Sequence, residues 1–216
     1  MKYSTKHMTH IAGSLIVAGL LAAGRAGAAD TTGNSLSSKG ASFVKEASEG
    51  NQSEIALAQL AQQKAQNPEI KNLAQMIQQD HQQAQETLQT IAQAHGLTIE
   101  ATATWTQRRA QSKLEKLSGA EFDQQYAKDM LKDHVTDIKK FQKASQNIED
   151  SDVTQYAQDC LPKLQAHLQH AESAAKSAGV DESTITSLTK NMPAGMGGTG
   201  ENQESSRGAG ERQQKP

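Results

Sequence analysis

The chain has 216 residues, 35% of them hydrophobic and 3% aromatic, with 22 basic against 24 acidic side chains. So few apolar and aromatic residues argue against a large β or α/β core, because strands draw on β-branched and aromatic side chains. The balanced charge argues against a nucleic-acid binder, which needs a basic patch. Ala, Gln, Leu, Lys and Glu are the prevailing residues and are good helix formers, so the expected fold class is all-α: one ordinary domain with tails.

Residues 1–28 read as a signal peptide. Lys2 and Lys6 open the chain, an apolar run follows from Ile11 to Ala23, and Ala26-Gly27-Ala28 forms a small-residue cleavage pattern before Ala29. The run is shorter than the roughly 20 residues of a stable span, so no membrane span is expected after cleavage. No Cys stands at the cut, which argues against a lipoprotein. The expected location is periplasmic or secreted. Loss of Lys2, Lys6 and Arg25 lowers the bases from 22 to 19 against 24 acids, a net charge of about −5. Cys160 is the single cysteine, so no internal disulfide can form and the core, a metal or a partner must hold the domain. Its apolar helix position beside Leu161 favours a buried residue over a ligand or reactive thiol.

A Ser/Thr/Gly-rich linker is expected over residues 29–40, a four-helix domain over 41–178, and a disordered Gly/Ser/Gln-rich tail over 179–216, with a short helix around 181–190. The first helical pattern runs from about Ser42 to Gln66, with Ala47, Glu54, Ala58 and Ala61 along one face. Asn67-Pro68 stops it and starts the second: Asn67 can cap, and Pro68 suits a first turn that needs no N–H. The second runs to about His95 on Ile70, Leu73, Ile77, Ala84, Leu88 and Ile91, and Gly96 closes it. Residues 97–117 form a longer connection, helical from Trp105. Ser118 and Glu121 have capping-box spacing. The third pattern runs from Ala120 to about Asn147 on Phe122, Met130, His134, Ile138 and Phe141. Ser151 can cap the fourth, which reaches about Ala178, and Pro162 inside it should kink it or mark its true start.

The tight joins make the first and second patterns antiparallel neighbours, and likewise the third and fourth. The connection of about 20 residues can cross a bundle of 36–42 Å, at about 1.5 Å per residue. Two hairpins with one crossover is the ferritin-like four-helix bundle; a simple up-down bundle is the alternative.

The candidate chemistry is polar and faces inward. His81 lies four residues after Ile77 and three before Ala84. His134 lies four after Met130 and four before Ile138. His167 lies three after Leu164 and four before Ala171. All three share the apolar side of their helices, and Glu54, seven after Ala47, does so on the first. Glu54, His81, His134 and His167 therefore form the predicted metal set, and imidazole with carboxylate suits one transition metal ion: iron, zinc or copper. The bland alternative is a core whose histidines satisfy one another, with Asp80 and Asp133 as charged rim. Di-iron bundles use E-x-x-H, and none occurs: Gln78, Ala92, Leu131, Leu164 and His167 stand three before the histidines of the domain. Met76 and Met130 admit a copper version, although Met at helical spacing is more often core filler. No catalytic motif, phosphate loop or nucleophile elbow is found. Cys160 and His167 stand two helical turns apart, too far for a nucleophile–base pair.

Several of these residues carry a resemblance. Phe43, Glu54, the Ala/Leu run to Ala65, Asn67-Pro68 and Asp80-His81 come first. Leu117-Ser118-Gly119, Phe122-Asp123, Tyr126 and His134 follow, then Leu161-Pro162-x-Leu164-x-x-His167-Leu168. In this order they resemble the bacterial exported family called domain of unknown function 4142, over about residues 41–176. Asn51-Gln52 after Gly50 is a mild departure. The resemblance implies a ferritin-like, exported bundle with recurrent polar positions at Glu54, Asp80, His81, His134 and His167, and brings no established activity. Two functions follow as expectations: a periplasmic metal-binding bundle, or a non-catalytic envelope protein without metal, acting through a protein partner or as a homo-oligomer.

Overall fold

The Asn67-Pro68 punctuation works as its chemistry requires. In the computed structural model, which describes residues 35–99 and 104–192, Asn67 Oδ1 accepts from the Glu69 amide at 2.8 Å and Pro68 opens the helix. Six helices are described: α1 (Ser38–Lys64), α2 (Pro68–Ala94), α3 (Trp105–Leu114), α4 (Gly119–Asn147), α5 (Ser151–Ser177) and α6 (Glu182–Thr189). The predicted signal peptide, the first half of the predicted linker (residues 29–34) and the part of the predicted tail beyond Met192 lie outside the described residues. Among the described residues no helix is long and apolar enough to cross a membrane.

Several boundaries differ from expectation for local reasons. α1 begins at Ser38, earlier than the predicted Ser42, because Ser37 caps it by accepting from the Gly40 amide at 3.0 Å. The predicted Ser118–Glu121 capping box is not formed: Ser118 makes no side-chain cap bond, and Gly119 turns the chain at φ +56°, a left-handed conformation that glycine adopts without strain. Asp150, not Ser151, is the α5 cap residue, and its carboxylate instead takes the Ser37 amide (2.9 Å) and hydroxyl (2.5 Å). Pro162 lies inside an unbroken α5. Pro162 and Gln158, whose carbonyl loses its amide partner, are both exposed, so water can take the missing bond. Gly96 closes α2 at φ +63°, as predicted.

α1 packs on α2, α2 on α5, α5 on α4, and α4 on α1 more sparsely. Contacts at the two ends fix the direction of each helix. At one end Asp123, near the start of α4, accepts from the Gln66 and Asn67 amides between α1 and α2, and Asn67 bonds Ser177 at the end of α5. At the other end His95, after α2, pairs with Asp152 at the start of α5 (2.6 Å), and Asp150 holds Ser37. α2 therefore ends at the end opposite to where α4 begins, and the connection carrying α3 runs the length of the bundle. Lys64 fastens its exit by bonding the Glu115 carbonyl. Every pair of adjacent long helices is antiparallel. α6, expected as a short helix, covers α4 and buries Ile185.

The interior is two apolar regions with polar residues between them. Phe43, Phe141 and Tyr156 stack edge-on and tilted near one end, with ring centroids 5.1–6.3 Å apart. Ile70, Leu73, Phe122 and Tyr126 fill the other. Ser48, Asn51, Glu54, His81, Gln85, His134 and His167 are buried in the middle third. Asp123 is buried as well, but serves the end turn. Replacing Asp123 with Ala leaves two chain-turn amides without their acceptor and is expected to cost about 1–3 kcal/mol in urea unfolding, with Asp123→Asn milder. A midpoint unchanged in Asp123→Ala would contradict this role.

Candidate metal centre

Three helices supply one imidazole each: His81 from α2, His134 from α4 and His167 from α5. They are 6%, 1% and 1% exposed, and one ring nitrogen from each lies within 4.8 Å of the others. Which nitrogens carry protons follows from their outer partners. His134 Nδ1 is 2.9 Å from the Met130 carbonyl oxygen. A carbonyl only accepts, so Nδ1 holds the hydrogen and, in a neutral ring, Nε2 is a bare lone pair. His167 Nε2 is 2.9 Å from Asp80 Oδ2. Burial alone would raise the Asp80 carboxyl, but the hydrogen bond from His167 and the Lys163 ammonium outweigh it and hold it below the usual range. Asp80 is thus ionised and accepts, so His167 Nδ1 is bare. His81 Nδ1 is 3.0 Å from Asn51 Oδ1, again an acceptor, and the buried Nε2 has no partner.

The bare lone pairs of His134 and His167 therefore face each other, and the His81 ring, its Nε2 buried without a partner, packs against both. His134 Nε2 and His167 Nδ1 are 3.2 Å apart, hydrogen-bond distance with no proton to share while both rings are neutral. An added proton is disfavoured. Burial pushes His134 down to about 3, with His167 contributing, and burial first, then the other two rings, hold His81 well below its usual value. His167 is also lowered, by burial, although Asp80 pulls the other way. A cation in place of the proton would satisfy all three nitrogens. Tetrahedral nitrogen donors about 2.0–2.1 Å from zinc stand about 3.3 Å from one another, close to the observed 3.2 Å. Metal-bound histidines usually donate the second N–H to a carboxylate, a carbonyl or another fixed acceptor, which is the pattern of Asp80, Met130 and Asn51. The cluster could hold a metal ion.

Apart from Asp80, the outer layer is built from side chains that the sequence reading did not single out. Asn51 Nδ2 lies 3.3 Å from the Tyr156 hydroxyl and 3.4 Å from Gln85 Oε1, and Gln85 donates to the Ser48 hydroxyl at 2.8 Å. The available signal was polar residues at core spacing: Ser48 and Asn51 three apart on α1, and Gln85 four after His81. Asp80, read as rim, is the anchor of His167 and binds Lys163 at 3.0 Å. Met130 takes part through its carbonyl, and Met76 is half-buried. Cys160 is half-buried, with burial chiefly raising its thiol to about 11. The cavity bordered by His81, His167, Asn51, Tyr156 and Cys160 has a volume of about 20 Å³, room for about one water.

Three of the four predicted ligands meet. Glu54 is buried but is outside the histidine group. Three residues turn a helix by about 300°, so Glu54 points about 60° away from Asn51. Asn51 faces α2 and meets His81, whereas Glu54 faces the aspartates of α4. His95 serves the bundle end and His170 is exposed.

Fold and site together define a helical-bundle protein with a buried three-histidine cluster. Residues 25–174 match the profile of domain of unknown function 4142, and the chain belongs to that family. No curated protein and no solved structure matches it.

Proposed function

We propose that this protein is an exported, ferritin-like four-helix bundle that holds one transition metal ion, iron, zinc or copper, on His81, His134 and His167. The observation that carries the reading is the grouping of three buried imidazoles, one ring nitrogen of each within 4.8 Å of the others, whose outer N–H groups are all anchored. The ferritin-like assignment is supported by the two antiparallel hairpins and the connection that runs the length of the bundle. Export to the periplasm or medium is supported by the pattern of residues 1–28. A cavity of about 20 Å³ favours holding the ion, as in buffering, storage or redox defence, over turnover of an organic substrate, whose pockets run to about 300 Å³ or more.

A second reading rests on the 3.2 Å contact between His134 and His167, which a shared proton would also suit. The protein is then a metal-free structural or interaction protein of the envelope, acting on a protein partner or as a homo-oligomer. Neither reading involves nucleic acid. Elemental analysis of untagged protein from the periplasm separates them: about one equivalent of a transition metal is expected. Less than about a tenth of an equivalent, with melting unchanged by chelator or by added iron, zinc or copper, rejects the metal reading.

A further inference from the structure

Glu54 is left over by the histidine site. It is 4% exposed, and its Oε2 has no hydrogen-bond partner. It lines an open cleft of about 300 Å³ between α1 and α4, together with Glu46, Glu49, Asp133 and Asp137. Among the described residues of that lining Lys140 is the one basic side chain, and it is divided between Asp137 at 3.6 Å and Glu46 at 4.0 Å. Glu54, Asp133 and Asp137 thus share this cleft with Lys140. Burial, then Asp133, Asp137 and Asp129, push the Glu54 carboxyl well above its usual value. The Tyr126 hydroxyl on α4, fully buried, likewise has no partner, and after burial the main influence on it is Glu54. Packing this charge together is costly unless a proton or a cation offsets it. A single proton offsets one of these charges, whereas a divalent cation between two carboxylates offsets two.

We infer that the α1/α4 cleft binds a hydrated divalent cation between Glu54 and Asp133. The cleft's ionic donors are carboxylate oxygens, which select hard ions such as Mg²⁺, Mn²⁺ or Ca²⁺ over the borderline metals that imidazole prefers. Two carboxylates with retained waters is ordinary coordination for such an ion. This site is independent of the histidine cluster: its donors are oxygen rather than nitrogen and come from α1 and α4 rather than from α2, α4 and α5.

The test uses the full chain, stripped of metal, and Mn²⁺ followed by electron paramagnetic resonance at neutral pH. His134→Leu removes the histidine site from the readout. In that background one saturable Mn²⁺ is expected, displaced by Ca²⁺ or Mg²⁺ and weakened about tenfold or more by Glu54→Gln and by Asp133→Asn. Asp133 is exposed, so its variant keeps the test alive if Glu54→Gln fails to fold. No Mn²⁺ bound by about 1 mM, or binding indifferent to both substitutions, overturns the inference. Zinc or cobalt binding by Glu54→Gln with intact histidines reports on the other site separately, so either proposal can fail alone.

Discussion

His134→Leu is expected to leave the metal-free protein about as stable as the parent, within about 1 kcal/mol, and to abolish its stabilisation by metal. Leu is close to His in volume, and volume-conserving core changes cost little. The lost bond is the one from Nδ1 to the Met130 carbonyl, and that oxygen keeps its place in the helix ladder. The gain is removal of the lone pair facing His167 Nδ1 at 3.2 Å. A buried polar group with no partner costs about 1–3 kcal/mol, so the two terms nearly cancel. Metal changes the comparison. An ion at one hundred times its dissociation constant adds about 2.7 kcal/mol to the parent and nothing to the variant. Urea unfolding with and without zinc or cobalt measures both terms. A metal-free loss of 3 kcal/mol or more, as for an ordinary large-to-small core change, would mean that the histidines are satisfied by one another and that the metal reading lacks its physical motive.

The same pair of proteins should diverge in acid. An unfolded histidine takes its proton near the ordinary 6.5, whereas His134 in the folded protein is held at about 3 by burial and by His167. Below pH 6.5 the unfolded chain binds the extra proton and the folded chain does not, so the stability tied to a neutral His134 is complete above about 6.5 and is lost as pH falls toward 3. The slope is about 1.4 kcal/mol per pH unit. Glu54, raised in the folded protein, has the opposite sign: the folded state takes its proton first and gains stability as pH falls through that raised value. Glu54 is present in both proteins and cancels in the comparison. Metal-free parent should therefore fall behind His134→Leu by about 3 kcal/mol between pH 6.5 and pH 4. Parallel stability curves over that range would show that His134 is protonated in the folded state.

Much of the architecture was legible because helix starts and stops are local chemistry. Asn67-Pro68 and Gly96 acted as read, because a cap, a missing N–H and a left-handed residue depend on a few neighbouring atoms. Ser118–Glu121 and Ser151 did not act as read. Gly119 turns the chain at the first, and Asp150 serves the second helix start while its carboxylate reaches across the bundle to Ser37. A distant hydrogen bond of that kind leaves no mark in local spacing.

The three histidines were found because periodicity reports which side of a helix faces the core. It reports that side only to within a broad stripe. Asn51 and Glu54 both fall inside the α1 stripe, and the 60° between them decided that Asn51 anchors His81 while Glu54 turns to the aspartates of α4. The amino-acid order by itself determined the helical class, the hairpin joins and the buried imidazoles, since each follows from contacts within a few turns of chain. Only the packing of four helices decided which nitrogens face one another and which acceptors hold their outer protons, since helix rotation is set by all the neighbours at once and by no single segment.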